Sequence, residues 1–181
     1  MDYKKRFETI ARTFIKRKGI DELLAKLEKS DFYTAPASTR YHDSEEQGLV
    51  KHSLRVFSQL DSDVEGKGFN KESVAIVALF HDLCKLGYYK IEMRNAKDDR
   101  GQWIKVPYYT VDDKFPMGHG EKSIIMLLQY ITLTTEEMMA IRWHMGGFEP
   151  KENYGTLSMA YTEFPLALYL HIADMKATYL K

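Results

Sequence analysis

The chain has 181 residues, with 26 Lys+Arg balanced by 26 Asp+Glu, so no bulk basic field exists to draw it onto nucleic acid, although a local basic patch stays open. One cysteine excludes a disulfide framework and fits a reduced, cytoplasmic setting. The charged start Met1-Asp2-Tyr3-Lys4-Lys5-Arg6 has no apolar run behind it, as a signal peptide would, and no stretch reaches the ~18 apolar residues of a membrane span.

The length fits one domain with a real core. Residues 1–35 read as N-terminal helices. The first runs from Tyr3 to Lys18, with Phe7, Ile10, Ala11 and Phe14 on one side and Gly19 as its stop. Asp21 is placed to cap a short second helix carrying Leu23, Leu24 and Leu27. Ser30 to Arg40 reads as loop. Gly48 to Leu60 is helical, and His52 sits on its apolar side between Leu49 and Val56.

Asn70 then caps a helix that is apolar all round from Val74 to Phe80 and runs into His81, Asp82, Cys84 and Lys85. A carboxylate behind such a segment needs a charge partner or a metal. Lys85, three residues beyond Asp82, shares its helix face and can supply the first. Cys84 reads as a small core residue, not a nucleophile.

Residues 88–117 change character. The turn Asp98-Asp99-Arg100-Gly101 separates two β-prone runs, which predicts an inserted hairpin with Pro107 on an edge strand. Its Tyr88, Tyr89, Trp103, Tyr108 and Tyr109 alternate with Lys90, Arg94, Lys97, Arg100 and Lys105, a mixture suited to a base and its phosphates or to ordinary hairpin packing. Gly118 and Gly120 flank His119 at a helix entrance, where they allow close backbone approach. Thr134 to Glu137 has capping-box spacing and opens a helix through Arg142 to His144, ended by Gly146-Gly147. The nine methionines read as core filling. Phe164 to Tyr179 is an apolar helix interrupted by His171 and Asp174, which can share a face.

Five histidines (His52, His81, His119, His144, His171) and two awkward carboxylates (Asp82, Asp174) thus lie on apolar helices or at their mouths. One central divalent ion satisfies most of them together. Imidazole with carboxylate suits Mn, Fe, Co or Ni, or Mg where oxygen dominates. With a single sulfur in the chain, a thiolate zinc site is excluded.

The ordered set His52, His81-Asp82, His119, His144, Asp174 resembles the H…HD…H…H…D pattern of the HD-domain metal-dependent phosphohydrolases. The phrases Gly48-Leu49-Val50-Lys51-His52-Ser53-Leu54, Phe80-His81-Asp82-Leu83-Cys84-Lys85 and Gly118-His119-Gly120-Glu121-Lys122-Ser123 carry the same likeness, which spans Pro36 to Tyr179. It implies an all-α bundle around a central metal site, with the hairpin inserted. It implies that His52, His81, Asp82 and Asp174 hold a first ion, and that His119 and His144 hold a second, with Asp82 bridging, where two ions bind. His171 matches no ligand of the family.

The implied activity is hydrolysis of nucleotides or deoxynucleotides, mono- or triphosphates, by a metal-activated water. Asp82, Lys85 and Glu121 would take part in catalysis. Arg40, Lys85, Lys122 and Arg142 would bind the substrate. Two alternatives remain at this stage. One is a phosphodiesterase on cyclic nucleotides or oligonucleotides, because Pro36 to His42 resembles HD domains attached to exoribonucleases. The other is a nucleotide-sensing module with little turnover. A homodimer is the common association state for such a domain.

Overall fold

The computed structural model describes residues 2–39 and 43–180. The chain is mostly helical, with one two-stranded antiparallel hairpin. In chain order the elements are α1 (Tyr3–Phe14), α2 (Ile20–Glu28), α3 (Gly48–Asp63), α4 (Lys71–Phe80), β1 (Tyr89–Lys97), β2 (Trp103–Val111), α5 (His119–Leu128), α6 (Thr135–Trp143), α7 (Tyr154–Glu163) and α8 (Pro165–Tyr179). Short 3-10 turns follow α4 at Leu83–Lys85 and follow α6 at Gly146–Phe148 and Lys151–Asn153.

One hydrophobic cluster draws on all eight helices. α4 is its axis. Every residue from Ser73 to Phe80 is buried, and α4 packs against α1, α3, α6 and α8. Phe7 of α1 meets Phe32 and Phe80 edge-on, with ring centroids 5.1 and 5.5 Å apart. That aromatic knot fixes the N-terminal helices against the start of the Phe80-His81-Asp82 segment. The Asn70 cap forms as the sequence predicts, its side chain accepting from the N–H groups of Glu72 and Ser73. The capping box of α6 also forms, with Thr134 and Glu137 bonding each other's backbone N–H.

Several helix ends differ from the sequence reading, and one helix is additional. α1 stops at Phe14, not at Lys18, because Ile15 is extended and the residues after it are drawn to other helices. The Lys16 N–H donates to Glu72, and Arg17 forms a bidentate pair with Glu137 at 2.6 Å on each arm. α2 begins from Gly19, in the left-handed region at φ 95°, and Asp21 instead pairs with Arg12. A Cβ at Gly19 would also collide with the Tyr130 carbonyl, so this corner accepts only glycine. α4 ends at Phe80, and after His81 and Asp82 the residues Leu83 to Lys85 form a tighter 3-10 turn. α7 is an additional helix. Gly155, Thr156, Ser158 and Thr162 dilute its period, and only Leu157 and Ala160 are buried.

The hairpin forms in the predicted place, with Tyr89 paired to Val111 and Lys97 to Trp103. Its aromatics do not gather over the core. Trp103 at the tip is 70% exposed, beneath the Lys97 ammonium, and Arg94 lies over Tyr108. At the base of the hairpin the Tyr89 hydroxyl donates to the carbonyl of Ala37, in the loop between α2 and α3. Nor are the methionines uniformly core. Met126 and Met139 pack on it, whereas Met93 and Met159 are exposed. Among the described residues, no helix is long and apolar enough to cross a membrane.

Glu137 is fully buried, and burial alone would raise its pKa. The Arg17 guanidinium, Ser73 and the Thr134 N–H outweigh burial and hold the carboxyl below its ordinary value. The stability from this group is therefore present above the unfolded-state value of about 4.3 and lost as pH falls through the folded one. Glu137→Gln, which removes one member of a buried ion pair, should cost about 3 kcal/mol at neutral pH. Urea midpoints should then fall less steeply with acidification in the variant than in the parent chain. Parallel pH profiles would contradict this assignment.

Candidate metal centre

His81 and His144 occupy equivalent places, each at the C-cap of a helix, α4 and α6 respectively. A helix end leaves carbonyls without intrahelical partners. Each imidazole turns back on its own last turn: His81 Nδ1 lies 3.0 Å from the Ala78 carbonyl, and His144 Nδ1 lies 2.7 Å from the Ile141 carbonyl. A carbonyl only accepts, so Nδ1 carries the hydrogen in both rings and Nε2 carries the lone pair. Both Nε2 atoms are buried without a hydrogen-bond partner. Burial is also the main cause lowering both pKa values, that of His144 to about 3, so both rings are neutral at physiological pH.

The two orphaned lone pairs converge on Asp82, which is 3% exposed. His81 Nε2 lies 3.6 Å from Oδ2, and His144 Nε2 lies 3.8 Å from Oδ1. His52, from the middle of α3, brings Nε2 within 3.8 Å of Oδ2 and within 3.0 Å of Asp174 Oδ1. His119, at the start of α5, brings Nε2 to 2.7 Å from Asp82 Oδ1. The six residues of the sequence pattern, which span 123 positions of the chain, therefore meet around one carboxylate.

Lys85 completes the cluster with Nζ 2.6 Å from Asp82 Oδ2. It does so from the 3-10 turn, in which residues three apart eclipse. Burial disfavours both charges, but each stabilises the other. The Asp82 carboxyl is held well below its usual range, and the Lys85 ammonium is held above its own. Asp174 is likewise lowered: burial opposes ionisation, and the hydrogen bond from His52 overcomes it. For His119 burial also opposes the charge, but Cys84 and Asp82 outweigh it and raise the imidazole to about 10.

Two overlapping donor sets lie at the centre, His52 with His81 and Asp174, and His81 with Asp82 and His144. Within each, the ligand atoms are mutually within 4.8 Å. The fit to a divalent cation rests on His81 and His144, neutral imidazoles with inward lone pairs, beside the ionised carboxylates of Asp82 and Asp174. His144 shares Asp82 Oδ1 with His119, their Nε2 atoms lying 3.8 and 2.7 Å from it. Its ring centroid is 4.9 Å from that of His81 and 5.3 Å from that of His119, so it stands between them.

The other sequence candidates go elsewhere. Glu121 pairs with Arg142 at 2.5 Å, and Arg142 also grips Glu149 and stacks on Trp143, so neither reaches the cluster. Lys122 is buried against Asp113 at 2.5 Å, with its ammonium 5.1 Å from the Tyr88 ring centroid. It braces the hairpin base instead of offering a free cation. Arg40, together with Tyr41 and His42, lies outside the described residues. His171 hydrogen-bonds the His144 carbonyl at 2.8 Å and stacks on Tyr161, which supports the α6 C-terminus.

A cavity of about 480 Å³ opens onto the cluster. His52, Asp82, Lys85, His119, His144 and Asp174 form its polar floor. Its walls are Ala37 to Thr39, Tyr88 and Tyr89 with Val111 at the hairpin base, Met145 and Phe148 after α6, and Met175, Thr178 and Tyr179 of α8. The sequence reading took Ser30 to Arg40 for loop, assigned a substrate role there to Arg40 alone, and gave Met175, Thr178 and Tyr179 of α8 no role. The available signal was positional, since Thr178 lies one helical turn beyond Asp174. No protein-family model, curated protein or solved structure matches the chain.

Gly120 determines how closely α5 approaches α6, for a Cβ there would stand 2.6–2.7 Å from the Ile141 and Arg142 backbone. Gly120→Ala should push His119 away from Asp82 and weaken the cluster. Binding of a divalent cation to the native state should raise the melting temperature of the parent chain. Saturation at a hundred times Kd gives about 2.7 kcal/mol, or roughly 5–10 °C for a chain of this size. His81→Ala should lose most of that increase and Gly120→Ala part of it. Identical cation-induced shifts in all three chains would refute the placement of the site.

Proposed function

We propose that this chain is an HD-type metal-dependent phosphohydrolase acting on nucleotides or deoxynucleotides. The observation that carries the reading is the pair of helix-cap histidines, whose Nε2 lone pairs are buried, unpartnered and directed at an ionised Asp82 on the floor of a cavity. His52, His81, Asp82 and Asp174 would hold one divalent ion, with His144 beside them. A cation bound there supplies Lewis acidity to a phosphoryl oxygen and to water.

The chain's own residues would do the rest. Lys85 offers a positive charge at the cavity floor for phosphoryl oxygens, and its link to Asp82 fixes its position. Tyr88, Tyr89, Phe148 and Tyr179 give aromatic walls against which a base can stack. The volume falls within the range of small-molecule sites, about 300–1,000 Å³. Lys85 is the one lysine or arginine among the described residues lining the cavity, with the His119 imidazolium as the other positive group, which favours a phosphomonoester over a triphosphate. Tyr88 depends on the Lys122–Asp113 pair behind it, so Lys122 acts on the substrate wall indirectly.

The test is product analysis with metal-stripped protein. Nucleoside mono- and triphosphates, a cyclic nucleotide and a short oligonucleotide would each be supplied with Mn, Co, Ni or Mg added singly. Nucleoside and inorganic phosphate from monophosphates are expected, with Asp82→Ala inactive. Lys85→Ala should be slowed roughly a hundredfold, as for loss of one preorganised charge at a reacting group. Products from the cyclic or oligomeric substrates alone would replace the reading with a diesterase. Tight nucleotide binding without product would replace it with a sensing module.

A further inference from the structure

The central cavity takes up only the base of the hairpin, at Tyr88, Tyr89 and Val111. The mixture of rings and cations farther along the strands has no role in it. A second cavity of about 450 Å³ lies against that stretch. Arg94, Pro107, Tyr108 and Tyr109 of the hairpin line it, with Thr39 and Ser44 from the segment between α2 and α3. Thr39 lines both cavities. The Tyr89 ring of one meets the Tyr109 ring of the other edge-on, with centroids 6.4 Å apart, so the two cavities are neighbours across a thin partition.

We propose that this second cavity is a separate site for a mononucleotide, with the phosphate held by Arg94 and the base laid against Tyr109. None of the metal-ligand candidates lines it. Naming a nucleotide, and not another phosphorylated aromatic compound, rests on the function proposed above.

Three observations carry it. The first is a surplus charge. The carboxylates around the cavity are already engaged: Glu92 with Lys90 at 2.8 Å, Glu45 with Lys51 at 2.7 Å, and Asp43 with Arg55. Among the described residues no carboxylate pairs with Arg94. The second is orientation. The Arg94 guanidinium lies over the Tyr108 ring, 5.3 Å from its centroid, and the Tyr108 hydroxyl donates to Glu92 at 3.2 Å, which holds that ring as a platform. Stacking uses the face of a guanidinium and leaves its N–H edge free for the two-pronged grip that suits a phosphate. The third is the cavity itself. Its volume is close to that of the central one, Tyr109 and Pro107 offer apolar surface to a planar base, and Thr39 and Ser44 offer hydroxyls to a sugar or phosphate. A cation over a ring is not enough alone: Lys97 over Trp103 repeats that contact at the hairpin tip and borders neither cavity. One arginine matches one phosphate, which is why a monophosphate is named.

Calorimetric titration of the metal-stripped full chain with adenosine 5′-monophosphate tests the site without turnover. The expected result is a binding event that survives Lys85→Ala and weakens roughly 10- to 100-fold in Arg94→Ala, as for loss of a charge-assisted contact. Inorganic phosphate should compete for it, and adenosine, which lacks the phosphate, should bind more weakly. Arg94→Lys keeps the charge without the planar fork and should fall between the parent and Arg94→Ala. Arg94 is exposed, so these variants should keep the melting temperature of the parent chain, and weaker binding then reports a lost contact. Binding that Lys85→Ala abolishes and Arg94→Ala leaves intact would overturn the second site and place all the nucleotide in the central cavity. Arg94-dependent binding of a dinucleotide but not of the mononucleotide would overturn it in favour of an extension of the central cavity. No binding up to millimolar nucleotide would overturn it as well. Each of these failures leaves the phosphohydrolase reading to the product analysis above. Arg94-dependent binding in a chain that yields no product would sink that reading and keep this site.

Discussion

An ionised carboxylate in the interior of a helical protein is stable only if charge and hydrogen bonds surround it, and Asp82 is the point on which this structure depends. One oxygen faces the Lys85 ammonium with His52 and His81 behind it. The other faces His119 and His144. Five side chains from four separate segments are thereby directed to one residue. Lys85 brings a charge independent of pH in the physiological range, and the raised pKa of His119 adds a second one. The histidines bring geometry, and two of them bring lone pairs that no described group satisfies.

Helix ends do much of the positioning. The central helix α4 is entirely apolar until Phe80 and contributes chemistry only where it stops, and α6 repeats the device at His144. The exposed backbone carbonyls of a terminating helix select the tautomer of each cap histidine, and that choice leaves the opposite nitrogen free to bind a cation. The usual rule for metal-binding imidazoles, that the second nitrogen is held by a carbonyl or carboxylate, is met here before any ion is considered. His171 and Lys122 extend the same support outward, one gripping the carbonyl of His144 and the other bracing the wall at Tyr88.

The helices that carry the cluster were legible because apolar periodicity and capping residues mark them locally: Asn70 before α4, Thr134 to Glu137 before α6, and Leu49, Val56 and Leu60 along α3. The gathering of His52, His81, Asp82, His119, His144 and Asp174 was legible because each is a polar residue in an apolar setting that a single centre could satisfy. Partners between distant segments were not. Arg142 and Glu121 read as site residues from their closeness to His144 and His119, but Glu149 and their mutual attraction hold them outside. The early end of α1 depends on Glu72 and Glu137, more than fifty residues away. α7 has too little burial to impose a period. The proximity of Cys84 to His119 depends on how closely α5 packs on the turn after α4, and no local pattern encodes that.

The central claim is that the cap histidines and the two aspartates form a divalent metal centre. The most direct measurement is anomalous X-ray diffraction from crystals of the metal-stripped chain reloaded with manganese or cobalt. The account predicts an anomalous peak at coordination distance, about 2.0–2.2 Å, from the nitrogens of His52 and His81 and the carboxylates of Asp82 and Asp174. Well-ordered crystals soaked in saturating metal that show no such peak, with water alone hydrogen-bonded to His81 Nε2 and His144 Nε2, would contradict it.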